Sequence, residues 1–416
     1  MTGTGGRLPH AIGLLVICAL ALAAALAEAG AAIADGGAPQ RWVGTWAASP
    51  QAPTGVAQTG LANQTERAIV HVSVGGDRVR VRLSNAFGAG PVTLNEVDVA
   101  VRAAGPAVVA GTVRRLRFHG HGSVTIAAGQ EVLSDATRMT VRPEQDLAVS
   151  VAATGQTGPA TQHALAVATS YLSAAGSGNH AADVGAEAFT TSIFSWLFVD
   201  GVDVRAAARG ALVAFGDSIT DGFRSTQDAN RRWPDDLAHR LLELPARERL
   251  SVLNEGISGN RLLIDSPQFG VRALDRFQRD VLDQTGVTDV IVLLGINDIG
   301  QSPHQFDPGV IEGALAQLAA RAHARHLRAL GGTMLPFKGA FPGYYTPEGD
   351  ATRQAVNQWM RTSGTFDAVV DFDRLMGDAN DPLILNPAFD SGDHLHPNDL
   401  GYQTMADAID LRSLRR

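Results

Sequence analysis

From residue 206 onward, short apolar runs alternate strictly with helical stretches, and this rhythm constrains the fold more than any other feature of the chain. The run 212–215 is followed by a helical stretch at 233–244, 252–253 by one at 271–282, and 290–294 by one at 310–327. The run 329–335 precedes a helical stretch at 352–361, and 369–372 precedes, after a loop, another at 400–411. Such alternation predicts a parallel sheet covered by helices on both faces. Ligands of these sheets bind beyond the carboxyl ends of the strands. The loops that follow the apolar runs are therefore where chemistry is to be sought.

The chain before residue 206 follows a different grammar. With 416 residues in all, it is too long for one ordinary core, and two folded parts are expected: a β-rich accessory domain over 35–205 and a catalytic domain over 206–416. Residues 78–83 alternate strictly, with Val79, Val81 and Leu83 on one face and arginines on the other. Residues 69–74 alternate more loosely, and Gly75-Gly76-Asp77 between the two runs is a turn signal, so the pair predicts a hairpin. Further apolar runs at 97–101, 124–126 and 147–151 are separated by turn residues, the spacing of a β-sandwich, here expected to be jelly-roll-like.

The first residues carry a targeting pattern. Arg7 is followed by an apolar run at 11–27 and then by small residues. Ala32-Ile33-Ala34 fits a cleavage site that would make 1–34 a signal peptide and Asp35 the mature N-terminus, with Ala27-Glu28-Ala29 as a second possible site. The alternative, an uncleaved membrane anchor, is disfavoured by the shortness of the run. A secreted or periplasmic protein without a stable membrane anchor is expected. The single cysteine, Cys18, lies inside the apolar run, and Leu15-Val16-Ile17 before it lacks the small residues of a lipoprotein signal. The mature chain would then have no disulfide, no catalytic thiol and no cysteine-ligated metal. A net charge of −8 without a long basic run makes nucleic acid and anionic membrane surfaces poor partners.

Four polar motifs fall in the loops singled out above. Gly216-Asp217-Ser218 follows the first apolar run, Ser258-Gly259-Asn260 the second, Gly295-Ile296-Asn297-Asp298 the third, and Asp393-His394-Leu395-His396 lies in the loop after the fifth. Acyl transfer needs a nucleophile, a base and donors for the oxyanion. Ser218 is placed as the nucleophile and His396 as the base. Asp393 can reach the imidazole and fix its tautomer. The N–H groups of Ser218 and Gly259, with the Asn297 amide, can form an oxyanion hole. Asp390, six residues before His396, is the rival acid. Each motif alone is an ordinary turn, and it is their shared placement that points to chemistry.

Other readings carry less. A metal pair at His394 and His396 is the alternative use of the last motif. Gly-x-Ser-x-Gly is missing around Ser218, and Ser-x-x-Lys is excluded because the only lysine, Lys338, has Leu335 three residues earlier. His323 and His326 sit on an arginine-rich helical stretch and predict a solvated face, and His119 and His121 predict surface positions. Trp233, Phe337, Tyr344 and Tyr345 are candidates for a substrate pocket, with core packing as the alternative.

The words Phe-Gly-Asp-Ser-Ile-Thr at 215–220, Gly-Ile-Ser-Gly-Asn-Arg-Leu at 256–262, Gly-Ile-Asn-Asp at 295–298 and Asp-His-Leu-His-Pro at 393–397 resemble those of the SGNH/GDSL hydrolase family. Its four name-giving residues would be Ser218, Gly259, Asn297 and His396, and Asp393 stands at the family's three-residue spacing. The resemblance implies a flavodoxin-like three-layer α/β/α fold over about 212–411. It also implies a serine esterase that works through an acyl-enzyme, with no metal and no cofactor. The segments 42–50 and 82–88 resemble secreted bacterial members, some of them associated with xylan-degrading esterases. Short acyl (acetyl) esters of carbohydrates are the expected substrates. The alternatives are a lipase or lysophospholipase-like enzyme acting on longer chains and, outside enzymes, a carbohydrate-binding protein.

Overall fold

Alternation decides the first half of the chain. Its main strands are β1 (Arg41–Ala47), β2 (Ala62–His71), β3 (Gly76–Ser84), β4 (Glu96–Ala104), β5 (Thr137–Val141), β6 (Asp146–Gln156), β7 (Ser170–Ser173), β8 (Phe189–Ile193) and β9 (Val199–Ala206). They form two antiparallel sheets. One has the order β1-β9-β3-β5 and the other β8-β7-β2-β6-β4. Val79, Val81 and Leu83 of the first sheet share one buried core with Val97, Val99, Val149 and Val151 of the second, the packing that period-2 patterning demands. The structure is a computed structural model that describes residues 1–3 and 40–414. The expected signal peptide, its cleavage sites and Cys18 lie almost wholly outside the described residues. Among the described residues no helix is long and apolar enough to cross a membrane.

The hairpin expected at Gly75-Gly76-Asp77 does not form. Strand β2 pairs with β6 and β7, whereas β3 pairs with β9 and β5, so the chain crosses from one sheet to the other between them. Val72 and Val74 are buried in the crossing, and the Ser73 N–H donates to Thr45 O. The glycines serve close approach here. A Cβ on Gly75 would lie 2.3 Å from Val141 O, and one on Gly76 2.5 Å from Arg205 O. Turn composition alone could not separate a hairpin from an arch between sheets.

The second half is a five-stranded parallel sheet. Its strands are β10 (Gly210–Gly216), β11 (Leu250–Gly256), β12 (Val287–Leu293), β13 (Arg328–Gly332) and β14 (Ala368–Val370), in the order β11-β10-β12-β13-β14. This is the order of flavodoxin-like doubly wound sheets. Helices α1 (Ser218–Asp221), α2 (Trp233–Leu242), α3 (Ala273–Phe277), α4 (Ile296–Gly300), α5 (Pro308–Ala324), α6 (Pro347–Thr362), α7 (Phe372–Met376) and α8 (Asp399–Ala408) connect and cover it. Strand β10 shows why its run is continuously apolar. Ala211, Val213 and Phe215 enter the core beneath α3, α5 and α6, while Leu212 and Ala214 enter the core beneath α2 and α8.

Pairing changes from antiparallel to parallel between Ala206 and Gly210, yet Arg41–Arg416 is one compact unit. Ala47 of β1 belongs to the core of the parallel sheet. The Val252 N–H of edge strand β11 donates to Ser73 Oγ at 3.0 Å, and Gly44 N–H donates to Thr285 O at 2.8 Å. Ser49 Oγ donates to the buried Glu255 carboxylate at 2.6 Å. The first half thus covers an edge that would otherwise expose unpaired backbone. Residues 206–416 expressed alone are expected to lose these contacts and to melt roughly 10 °C or more below the full chain, at about 2–4 °C per kcal/mol. Calorimetry of both proteins checks this, and a fragment that melts with the full chain would contradict it.

Candidate active site

Three strand ends and one loop converge at the carboxyl edge of the parallel sheet. Strand β10 ends in Gly216, and Asp217 caps α1 by accepting from the Ile219 N–H at 3.1 Å. This capping fixes Ser218 as the first helical residue. Burial pushes the Asp217 carboxyl up to about 7, against the pull of the Ile219 N–H. Ser218 is only 6% exposed, so its hydroxyl opens to a cleft rather than to bulk solvent.

The loop before α8 brings His396 to this serine. His396 Nε2 lies 2.9 Å from Ser218 Oγ, and His396 Nδ1 lies 2.9 Å from Asp393 Oδ2. The other Asp393 oxygen accepts from the N–H groups of Leu395 and His396 at 3.1 and 2.9 Å. Arg224 Nε also donates to Asp393, at 3.2 Å. Burial would raise the Asp393 carboxyl. The hydrogen bond and charge of His396, with the two backbone donors, outweigh burial and hold it well below the usual carboxylate range. An ionised Asp393 needs a proton on Nδ1, which leaves the Nε2 lone pair facing the serine hydroxyl. Asp390 is engaged elsewhere: it accepts from the N–H groups of Gly392 and His394 and lies 2.6 Å from His394 Nδ1.

The donors opposite the serine come from the other two loops. Gly259 has a φ of +76°, and a Cβ there would stand 2.4 Å from the Phe269 ring, so only glycine fits. Neither the Ser218 nor the Gly259 N–H has an acceptor among the described residues. The Asn297 amide is oriented by its oxygen, which accepts from Tyr344 Oη at 2.9 Å and Gln301 Nε2 at 2.8 Å. Its nitrogen donates one hydrogen to Asn260 O at 3.0 Å and keeps a second for another acceptor. Asp298 ties the two loops together by accepting from the Leu262 and Leu263 N–H groups at 2.7 and 3.0 Å. Three donors and an oriented Ser-His-Asp set on one cleft can attack a carbonyl and hold the resulting oxyanion.

The cleft has a volume of about 350 Å³, and Phe223, Phe269, Phe341, Tyr344 and Leu395 form its apolar walls. Of the four aromatic residues expected at a pocket, only Tyr344 lies there. Trp233 and Phe337 are fully buried: Trp233 packs toward Phe372 beneath α2, and Phe337 packs against Tyr344 and Tyr345 behind the cleft. Trp233 opens a helix whose apolar stripe faces the sheet, which draws its ring inward. Phe223, Phe269, Phe341 and Gln301 were missed because they sit in loops whose course periodicity does not reveal. Phe223 follows the nucleophile helix closely, and its ring stands edge-on to His396 at 4.8 Å. His323 bonds to Asp367 at 3.0 Å, and His119 and His121 are exposed. No group of three metal-ligating side chains occurs among the described residues.

Comparison with known proteins places this geometry in context. Residues 214–404 match the GDSL-like lipase/acylhydrolase family. No curated protein sequence matches the chain. Similar solved structures include a GDSL-like lipase from Bacteroides thetaiotaomicron, with 21% identity over 50% of this chain and 89% of that one and a TM-score of 0.39. Another is an acetylxylan esterase from Geobacillus stearothermophilus, solved as a catalytic mutant, with 21% identity over 50% of this chain and 95% of that one and a TM-score of 0.37. The matched residues 214–404 include every side chain that lines the cleft.

Proposed function

We propose that the protein is a serine carboxylic-ester hydrolase in which Ser218 is the nucleophile, His396 the general base and Asp393 its orienting acid. One observation carries this reading: His396 Nε2 is 2.9 Å from Ser218 Oγ while Nδ1 is 2.9 Å from Asp393. Ser218 attacks the ester carbonyl as His396 takes its proton. The oxyanion is held by the N–H groups of Ser218 and Gly259 and by the Asn297 amide. His396 then protonates the leaving alcohol, and water activated by the same imidazole releases the acid. A pure carbohydrate-binding role would have no use for this alignment. The reading includes action outside the cytoplasm, supported by the pattern of residues 1–34.

For the substrate we propose a short acyl ester, with an acetyl group on a carbohydrate as the first choice. Aromatic rings beside the nucleophile support it, since apolar ring faces pack on the C–H faces of sugars; Phe341 is 45% exposed at the mouth. The volume and apolar walls of the cleft favour a second reading, longer acyl chains. Hydrolysis of p-nitrophenyl esters of increasing chain length, alongside acetylated xylan, separates them. The first reading expects kcat/KM to fall by about 10-fold or more from acetate to octanoate, together with release of acetate from xylan; a rise with chain length supports the second.

Ser218→Ala is expected to lower kcat by roughly 10⁴-fold or more without unfolding the protein. A fully active, folded alanine variant would remove the serine from the mechanism. Asp393→Asn is expected to lower kcat by about 100-fold or more, because an amide can hold the wrong imidazole tautomer. Asp390→Asn, at a side chain bonded to Gly392 and His394 and not to His396, should cost less than about 10-fold. Steady-state kinetics on one ester, with melting curves for both variants, checks the pair. The triad fails if Asp390→Asn is the more damaging.

A further inference from the structure

His163 lies outside the catalytic half, in a short strand (Gln162–His163) of the β-rich half, and is only 3% exposed. Both of its ring nitrogens face acceptors. Nδ1 is 2.9 Å from Ser49 O, and Nε2 is 3.1 Å from Leu165 O and 3.0 Å from Asp221 Oδ1. A carbonyl oxygen can only accept, so Nδ1 carries a proton, and a carboxylate beside a second carbonyl requires one on Nε2 as well. The ring is a buried imidazolium. Burial opposes the charge, and the Asp221 carboxylate and the Ser49 carbonyl overcome it, raising the pKa of the group. Trp196 covers the ring, with centroids 5.5 Å apart.

Asp221 is the last residue of the helix that Ser218 begins, and it is 2% exposed. Its second oxygen, Oδ2, accepts from the Ser258 N–H at 2.8 Å and from Ser258 Oγ at 2.7 Å. Ser258 immediately precedes Gly259. One carboxylate thus bridges the imidazolium of the β-rich half to the turn that presents the Gly259 N–H to the cleft. We propose that His163 is a positioning residue for ester hydrolysis, holding the Asp221 carboxylate aimed so that Ser258 fixes the Gly259 oxyanion donor. The inference rests on the esterase reading above. It gives the β-rich half a role in the chemical step in addition to covering the edge of the sheet. A neutral side chain at 163 would leave a buried carboxylate partly uncompensated, and the Asp221–Ser258 bonds would loosen. A donor displaced by a fraction of an ångström loses transition-state stabilisation while leaving ground-state binding intact.

The test is His163→Gln in the full chain, compared with wild type and Ser218→Ala. The variant is expected to melt roughly 6–20 °C below wild type while staying folded at the assay temperature, and to lower kcat by about 10-fold or more, with KM within about two-fold. Affinity for a phenylboronic acid, which becomes tetrahedral on the serine, should fall by a similar factor; a merely structural role would not move kcat and tetrahedral affinity together. A folded variant with kcat and boronate affinity within about two-fold of wild type overturns the inference, as does a loss in kcat without a loss in boronate affinity. If His163→Gln does not fold, Asp221→Asn carries the same test, since an amide cannot accept from both the imidazolium and Ser258. The same paired loss supports the inference, and unchanged kcat overturns it. If Ser218→Ala retains wild-type activity, the esterase reading and this inference fall together. An enzyme that depends on Ser218 but is indifferent to His163 overturns this inference alone.

Discussion

Arg276 is the single side chain on which the site's architecture converges. It is fully buried at the end of α3, and its guanidinium lies 4.2 Å over the Phe215 ring. It donates to Gly216 O at 2.8 Å, at the end of the strand that presents the nucleophile, and to Glu255 O at 2.9 Å, near the end of the neighbouring strand. It donates further to Asn260 Oδ1 at 2.9 Å, to Ser49 Oγ at 3.0 Å and to Asp280 Oδ2 at 3.0 Å. A planar fork with fixed donors suits such a junction better than a flexible ammonium. Removing it would leave Asp280 to Arg279 alone and take a donor from Gly216 O, Glu255 O and Asn260 Oδ1. It would also free two strand ends whose spacing sets the distance from Ser218 to Gly259.

The site is therefore built by restraint at strand ends, and each restraint has an identifiable chemistry. Asn260 passes the hold of Arg276 on to Phe269 O and Val271 O, to which its amide donates at 2.8 and 2.9 Å. Asp298 secures the start of the next stretch at Leu262 and Leu263. Asn297 is oriented through its oxygen by Tyr344 and Gln301, so its amide nitrogen does not have to be ordered when charge develops. Pre-set donors of this kind lower the barrier because they need no reorganisation during the reaction. The β-rich half contributes Ser49 and His163 to the same frame, and the compact unit beginning at Arg41 follows from that sharing.

Much of this was legible in the chain, for reasons that can be named. Strand β10 reads as buried on both faces because a parallel sheet between two helical layers leaves no polar side, and the polar motifs stand out against such runs. Ser218, Gly259, Asn297, Asp393 and His396 were legible as candidates from their positions after successive strands, and the structure brings four of them to one cleft, with Asp393 bonded to His396. The aromatic walls were not legible. Phe223, Phe269 and Phe341 lie in irregular loops, while Trp233, which opens a helix, is drawn into the core. The Gly75-Gly76-Asp77 arch was misread as a hairpin because local turn chemistry carries no information about which sheet the next strand joins. Arg276 and His163 were invisible as well, since a buried cation looks like any surface cation until its distant acceptors are known.

The central claim is that Ser218 alone becomes acylated because His396 activates it. The most direct measurement is reaction of the full chain with a fluorophosphonate, followed by peptide mass spectrometry. The account predicts one adduct per chain, located on Ser218, with its rate of formation falling sharply in His396→Ala. Labelling of a different serine, or unchanged labelling of Ser218 without His396, would contradict it.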